Sequence, residues 1–358
     1  MTRIAFGLIA ITTLSACGAK HAGTFDVGEA TVEGDAAPAL AEAASLWAQR
    51  TSVDSLQAAL VKYEEVLTMD PGNRTALEQL ARGYYFLGDG HLTADADKKT
   101  AWDTSINYGK QCMGLNEAFK ASLEKGDVDE VAAAANLTAD DVACTYWTAS
   151  ALGKWAGLQS LGVKLKNIPS VKAWIARVEA LDASYYYAAT DRYWGAYWAA
   201  IPSFAGRDLD KSRSYLDKAI AAHPAHFGNR VLLASYWAEK TQDVSVFDEQ
   251  IAYVLNNCAN GLDALVPEQE AEQRKAQALL DRRDEMFIDA GSVPAPEIAA
   301  PVCEKAAPAV EATEEAAPEG EAAEGEATEG DATEEAEAST EGSTDEAPAP
   351  EAAPAPAE

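Results

Sequence analysis

Basic residues are scarce in this chain. Lys and Arg number 28 against 58 Asp and Glu, for a net charge of −30 over 358 residues. That balance excludes nucleic acid as a partner and excludes binding to anionic lipid by charge alone. Strand signals are missing as well: no alternating β-branched runs are joined by two-residue turns. No run of apolar residues is long enough to span a bilayer as a stable helix. The equipment of catalysis is absent too. There is no G-x-S-x-G elbow, no H-E-x-x-H, no phosphate loop and no dinucleotide fingerprint. Only four His occur. His21 lies near the N-terminus, His91 in a Gly-Asp turn, and His223 and His226 astride a Pro, none with metal-ligand spacing. The Asp-rich stretch Thr93 to Asp97 lacks the closing Glu of a calcium loop. The chain is therefore expected to be no enzyme and to carry no cofactor or metal.

The missing positive charge is most complete at the C-terminus. Residues 306–358 hold 17 acidic residues, no Lys or Arg and no aromatic, in low-complexity Ala, Glu, Pro, Gly and Thr. Such a segment cannot bury enough apolar surface to offset its ordering entropy, so a disordered acidic tail is expected over 304–358. The N-terminus is different. Arg3 precedes a short apolar run, Ile4 to Ile11, and then Leu14-Ser15-Ala16-Cys17. One basic residue, a short apolar core and small residues form a secretory signal. The four residues resemble the bacterial lipobox, which implies lipidation of Cys17 after removal of a signal peptide, 1–16. Residues 17–38 are small and polar and read as a flexible tether. Gly18, where Asp would favour inner-membrane retention, points to the periplasmic face of the outer membrane. The chain would be membrane-bound through its lipid anchor.

Five Cys occur. Setting Cys17 aside leaves Cys112, Cys144, Cys258 and Cys303 in an oxidising compartment, where disulfides are stable. Of the three pairings, Cys112 with Cys144 and Cys258 with Cys303 join the nearest neighbours in sequence. A zinc site is the rival, but no C-x₂₋₄-C element is present.

Residues 39–303 remain for a folded, all-α body. Leu56, Ala59, Leu60, Tyr63, Val66 and Leu67 share one face of a helix that Ser52 caps and Asp70-Pro71-Gly72 ends. Asn73 caps the next, which Gly88-Asp89-Gly90 ends. Thr138 and Asp141 form a capping-box pattern ahead of a helix toward Leu161. Ser184 to Ile201 reads as one helix, and Asp208 caps another running to Pro224. Glu65 to Pro71 and Lys218 to Pro224 are alike, and this ending resembles the second helix and turn of a tetratricopeptide repeat. The copies are unevenly spaced, which predicts degenerate helical hairpins rather than a regular superhelix.

Five of the eight Trp fall between 147 and 198. Tyr185, Tyr186 and Tyr187 are followed by Tyr193, Trp194, Tyr197 and Trp198, with Asp191 and Arg192 among them. A stripe of this kind forms a core or lines a cleft; so many polar-tipped rings, each needing a partner, favour at least some cleft character. Asn229 and Arg230 lie within another apolar helix. The candidate cleft residues are Tyr146, Trp147, Trp155, Tyr185, Tyr186, Tyr187, Arg192, Trp194, Asn229 and Arg230.

The segments Tyr146-Trp147-Thr-Ala-Ser-Ala-Leu-Gly-Lys-Trp155, Leu181 to Tyr187, Arg192 to Tyr197, Pro202 to Arg213 and His226 to Ala234 together resemble the T component associated with TRAP transporters. The resemblance runs from about Ser52 to Phe287. It implies a periplasmic lipoprotein of tetratricopeptide-like helices, a homotrimer with an apolar cleft in each protomer, and a partner in the transporter's periplasmic solute-binding protein. The stretch Phe119 to Leu137, the four further Cys and the acidic tail stand outside that family's pattern. Two functions stay open at this point. One is a non-catalytic lipoprotein that binds a ligand or partner as accessory to a TRAP-type transporter. The other is an envelope scaffold with a filled aromatic core and no cleft.

Overall fold

A computed structural model describes residues 20–125, 128–299, 301 and 303. Cys17 and the tail 304–358 lie outside the described residues. Among the described residues every regular element is helical. The first hairpin is α1 (Ala37–Trp47) with α2 (Val53–Met69), and the second is α3 (Arg74–Phe86) with α4 (Asp95–Met113). Two short helices, α5 (Glu117–Glu124) and α6 (Glu130–Ala133), follow, and then the pair α7 (Val142–Gly157) and α8 (Leu161–Leu181). The fourth pair is α9 (Tyr185–Ala200) and α10 (Leu209–Ala222). Next come α11 (Phe227–Leu232), a π-helical stretch Leu233–Ala238, one turn α12 (Glu239–Thr241) and α13 (Val244–Asn256). The long α14 (Val266–Leu280) and short α15 (Arg283–Met286) close the chain of helices.

Local chemistry accounts for most of these boundaries. The side chains of Ser52, Asn73 and Asp208 accept the backbone N–H three residues on, and Thr138 and Asp141 form a reciprocal capping box. Each cap satisfies donors that a helix start leaves unpaired. Two boundaries differ from the sequence reading. Gly88-Asp89-Gly90 does not end α3 but continues it as a π-helical turn, Leu87–His91. Gly88 permits this because a Cβ there would come within 2.6 Å of the Trp102 indole nitrogen. Nor is Ser184 to Ile201 a single regular helix: Tyr186, Tyr187 and Ala188 take the left-handed conformation, with φ of 44°, 59° and 59°. No local residue pattern announces that run, and its support comes from elsewhere in the fold.

The segment expected as a free tether is held to the helical body at His21 and Phe25. His21 is buried. Its N–H donates to Asn167 Oδ1 at 2.9 Å, its Nε2 lies 2.8 Å from Asp103 Oδ1, and its carbonyl accepts from Lys110 Nζ at 3.2 Å. Phe25 sits edge-on against Phe119, and Gly114 leaves room for the Phe25 carbonyl, which a Cβ would strike at 1.7 Å. Apolar contacts buried here were not legible in a segment of mostly small polar residues. Cys112 is bonded to Cys144, with Cα atoms 5.7 Å apart, and Cys258 to Cys303 at 5.6 Å.

Three apolar clusters bind successive hairpins: one in α1 to α4, one around Trp174 in α4, α7 and α8, and one in α11 to α15. Each hairpin covers the apolar face its neighbour exposes, as in helical repeats. The row does not stay open. Glu268 on α14 accepts from Arg50, in the turn after α1, at 2.8 and 3.1 Å and from Arg82 on α3 at 2.8 Å. Lys275, also on α14, donates to Asp89 Oδ2 at 2.5 Å. The last long helix thereby returns to the first hairpins and makes a ring. Removing one partner of a buried ion pair strands the other charge. Glu268→Gln should therefore lower the unfolding free energy by about 3 kcal/mol in urea denaturation; a loss under about 1 kcal/mol would show that packing alone holds the ring.

Candidate functional site

The ring encloses a cavity of about 940 Å³, at the upper end of the usual range for small-molecule sites. Its wall is built from α3, α4, α7, α8, α9, α11 and α14, with both π-helical stretches contributing. Single π turns recur at functional sites because the extra residue re-aims side chains. Here the first puts Asp89 in the wall, and the second contributes Ser235 and Tyr236.

Of the ten candidate cleft residues, Tyr146, Trp147, Tyr186 and Arg192 line the cavity. The others stand behind or away from it. Tyr185 packs on Tyr146, with ring centres 5.4 Å apart, and Tyr187 lies edge-on to His223. Asn229 is buried, its Oδ1 accepting from Arg192 Nη1 at 2.9 Å and its Nδ2 donating to the Ala219 carbonyl at 2.9 Å. Trp155 meets His21, and Trp194 donates its indole N–H to Glu179 at 2.9 Å. Arg230 faces Tyr253 and donates to Gln250, outside the cavity. The aromatic stripe is thus divided between cleft and core. The left-handed run turns the start of α9 relative to the rest, which a regular helix count could not anticipate.

Arg192 explains how that run is held. A left-handed residue with a side chain costs roughly 1–2 kcal/mol, and three stand in succession. Arg192 Nη1 donates to the Tyr187 carbonyl at 3.0 Å and Nη2 to the Tyr186 carbonyl at 3.2 Å. The Tyr146 hydroxyl lies 3.5 Å from Nη2. The guanidinium binds two carbonyl groups of the left-handed run.

The charged part of the wall was missed by sequence reasoning. Asp89 accepts from Lys154 Nζ at 2.7 Å as well as from Lys275, and Lys275 also donates to Glu272 at 2.7 Å. Burial alone would push the Asp89 carboxyl up; the two ammonium groups outweigh it and hold it well below the usual carboxylate range. Burial likewise disfavours charge on Lys154, yet Asp89 keeps its pKa well above the ordinary value. Arg82 lies over the Trp147 and Tyr186 rings, 5.6 and 5.1 Å from their centres. Its Nε is buried without an acceptor, as are Ser150 Oγ and His226 Nδ1. These residues sit singly on otherwise apolar helix faces, and only Lys154, one turn beyond Ser150 on α7, shows by its spacing that it shares the Tyr146 face. No helix among the described residues is long and apolar enough to cross a membrane.

Fold and site together define a ring of helical hairpins built around a ligand-sized cavity with an aromatic and charged wall. The chain belongs to the TRAP transporter T-component family, whose model matches residues 50–287. No curated protein matches it.

The cavity histidine makes the fold sensitive to acid. Burial first, and the Arg192 guanidinium second, hold His226 well below the ordinary imidazole value of 6.5; burial also lowers His21 and His91. These imidazoles stay neutral in the fold but take up protons in the unfolded chain once the pH falls below that value. The unfolded state then binds more protons, so stability decreases as the pH drops. Urea midpoints should fall between about pH 7 and pH 5, and His226→Asn should make the decline shallower. A midpoint constant over that range would contradict neutral burial.

Proposed function

We propose that this chain is a non-catalytic, lipid-anchored accessory component of a TRAP-type transporter. It holds a ligand in the ring cavity and exchanges it with the transporter's periplasmic solute-binding protein. Family membership ties the chain to such a transporter. The single observation that carries the ligand-binding part is the 940 Å³ cavity with unpartnered polar atoms in its wall. A scaffold that merely bridged proteins would gain stability by filling that space.

The fixed position of His21 sharpens the anchoring. Lipid on Cys17 would be separated from His21 by Gly18, Ala19 and Lys20 alone. Four peptide steps reach at most about 14 Å. The face around His21, formed by α4, α7 and α8, would then lie close to the periplasmic surface of the outer membrane.

Two measurements test this reading. Cys17→Ser should move the protein from the membrane fraction to the soluble periplasm, and retention on the membrane would refute the anchor. The soluble mature chain, immobilised, should retain the solute-binding protein of the cognate transporter. Passage of that protein without retardation would refute the partnership.

A further inference from the structure

Acidic side chains outnumber basic ones two to one over the whole chain, but the cavity reverses the sign. Eight basic and three acidic side chains line it. The arrangement of these charges says more than their number. Asp89, Glu272, Lys154 and Lys275 compensate one another. Glu268 is a single carboxylate shared by two guanidiniums, Arg50 and Arg82. Arg192 is only 7% exposed. Its partners are two backbone carbonyls, the Asn229 amide oxygen and the Tyr146 hydroxyl, all neutral. The neighbouring Asp191 is taken by Lys218.

Lys98, Lys164, Arg274 and Arg282, the other basic lining residues, are half-buried or exposed; deeper in, two positive charges are left over, one shared between Arg50 and Arg82 and one on Arg192. The Arg82 and Arg192 guanidiniums lie 5.1 and 5.8 Å from the centre of the same ring, Tyr186. Arg82 keeps a buried Nε with no acceptor. Burying a cation without an anion is costly, and a bound anion is the direct remedy. Guanidinium is also the side chain best matched to an oxyanion in a poorly solvated site. The remainder of the lining is largely apolar, with Trp102, Ile168 and Val171 along one side.

We propose that the cavity binds an anionic amphiphile of the carboxylate class, its head between Arg82 and Arg192 beside Tyr186 and its apolar chain along the Trp102, Ile168 and Val171 wall. This rests on the cavity being the ligand site of the preceding subsection. The test is calorimetric titration of the mature Cys17→Ser chain with decanoate, 1-decanol and decyltrimethylammonium, which share a chain and differ in head. Decanoate should bind at least about tenfold tighter than decanol, and the cation weakest. Arg82→Gln, which leaves Arg50 paired with Glu268, should reduce the preference for decanoate over decanol at least about threefold. Decanol binding as tightly as decanoate, or the cation binding tightest, overturns the anionic head while leaving the cavity as a ligand site. Binding of none of the three overturns both. The comparison of heads uses no substitution in the cavity, so it decides the matter even where Arg82→Gln fails to fold.

Discussion

Glu268 takes two guanidiniums at once, and through them a row of hairpins becomes a ring. Arg50 and Arg82 come from the start of the chain and Glu268 from its last long helix, 218 and 186 residues away. Stacked hairpins need only their neighbours, so an open row would be stable without this contact. Closure makes the inner faces of α3, α7, α9 and α11 look at α14 rather than at solvent. Every property of the cavity follows from that geometry: its enclosure, the burial of Tyr186 and His226, and the strength of the charge pairs in its wall.

The hairpins were legible in the sequence because their causes are local. Ser52, Asn73, Thr138 with Asp141, and Asp208 mark helix starts within three residues of the bonds they make. Apolar stripes such as Leu56, Ala59, Leu60 and Tyr63 are buried as their spacing requires. The site was less legible because its causes are distant. Tyr186 and Tyr187 are left-handed only where a guanidinium five or six residues on can hold their carbonyl groups. Asp89 is an ordinary turn residue until Lys154 and Lys275, from two other helices, meet it. Trp155 and Trp194 carry the same composition signal as Trp147, yet they point to His21 and Glu179.

The N-terminal segment shows the same rule from the other side. Its polar, glycine-containing composition reads as a linker, and between Gly28 and Asp35 it is exposed. One residue, His21, decides otherwise, through three polar contacts and the edge of Trp155. The lipid anchor proposed on Cys17, four residues upstream of this fixed point, would hold the body close to the membrane, whereas a free tether of about twenty residues would let it range further.

Arg192 joins the fold to the chemistry of the cavity. Its donors hold the left-handed run, so the positive charge it brings cannot be moved away without releasing Tyr186. A side chain that served ligand binding alone could rotate out of an empty site and leave its charge in solvent. This one is held in place by the backbone it supports. The site is therefore organised before anything binds, and the cost of keeping a bare cation is met by the folding free energy of the ring. For the anion proposed above, the counter-charges would be in place before it arrived, so binding would not have to supply the cost of ordering them.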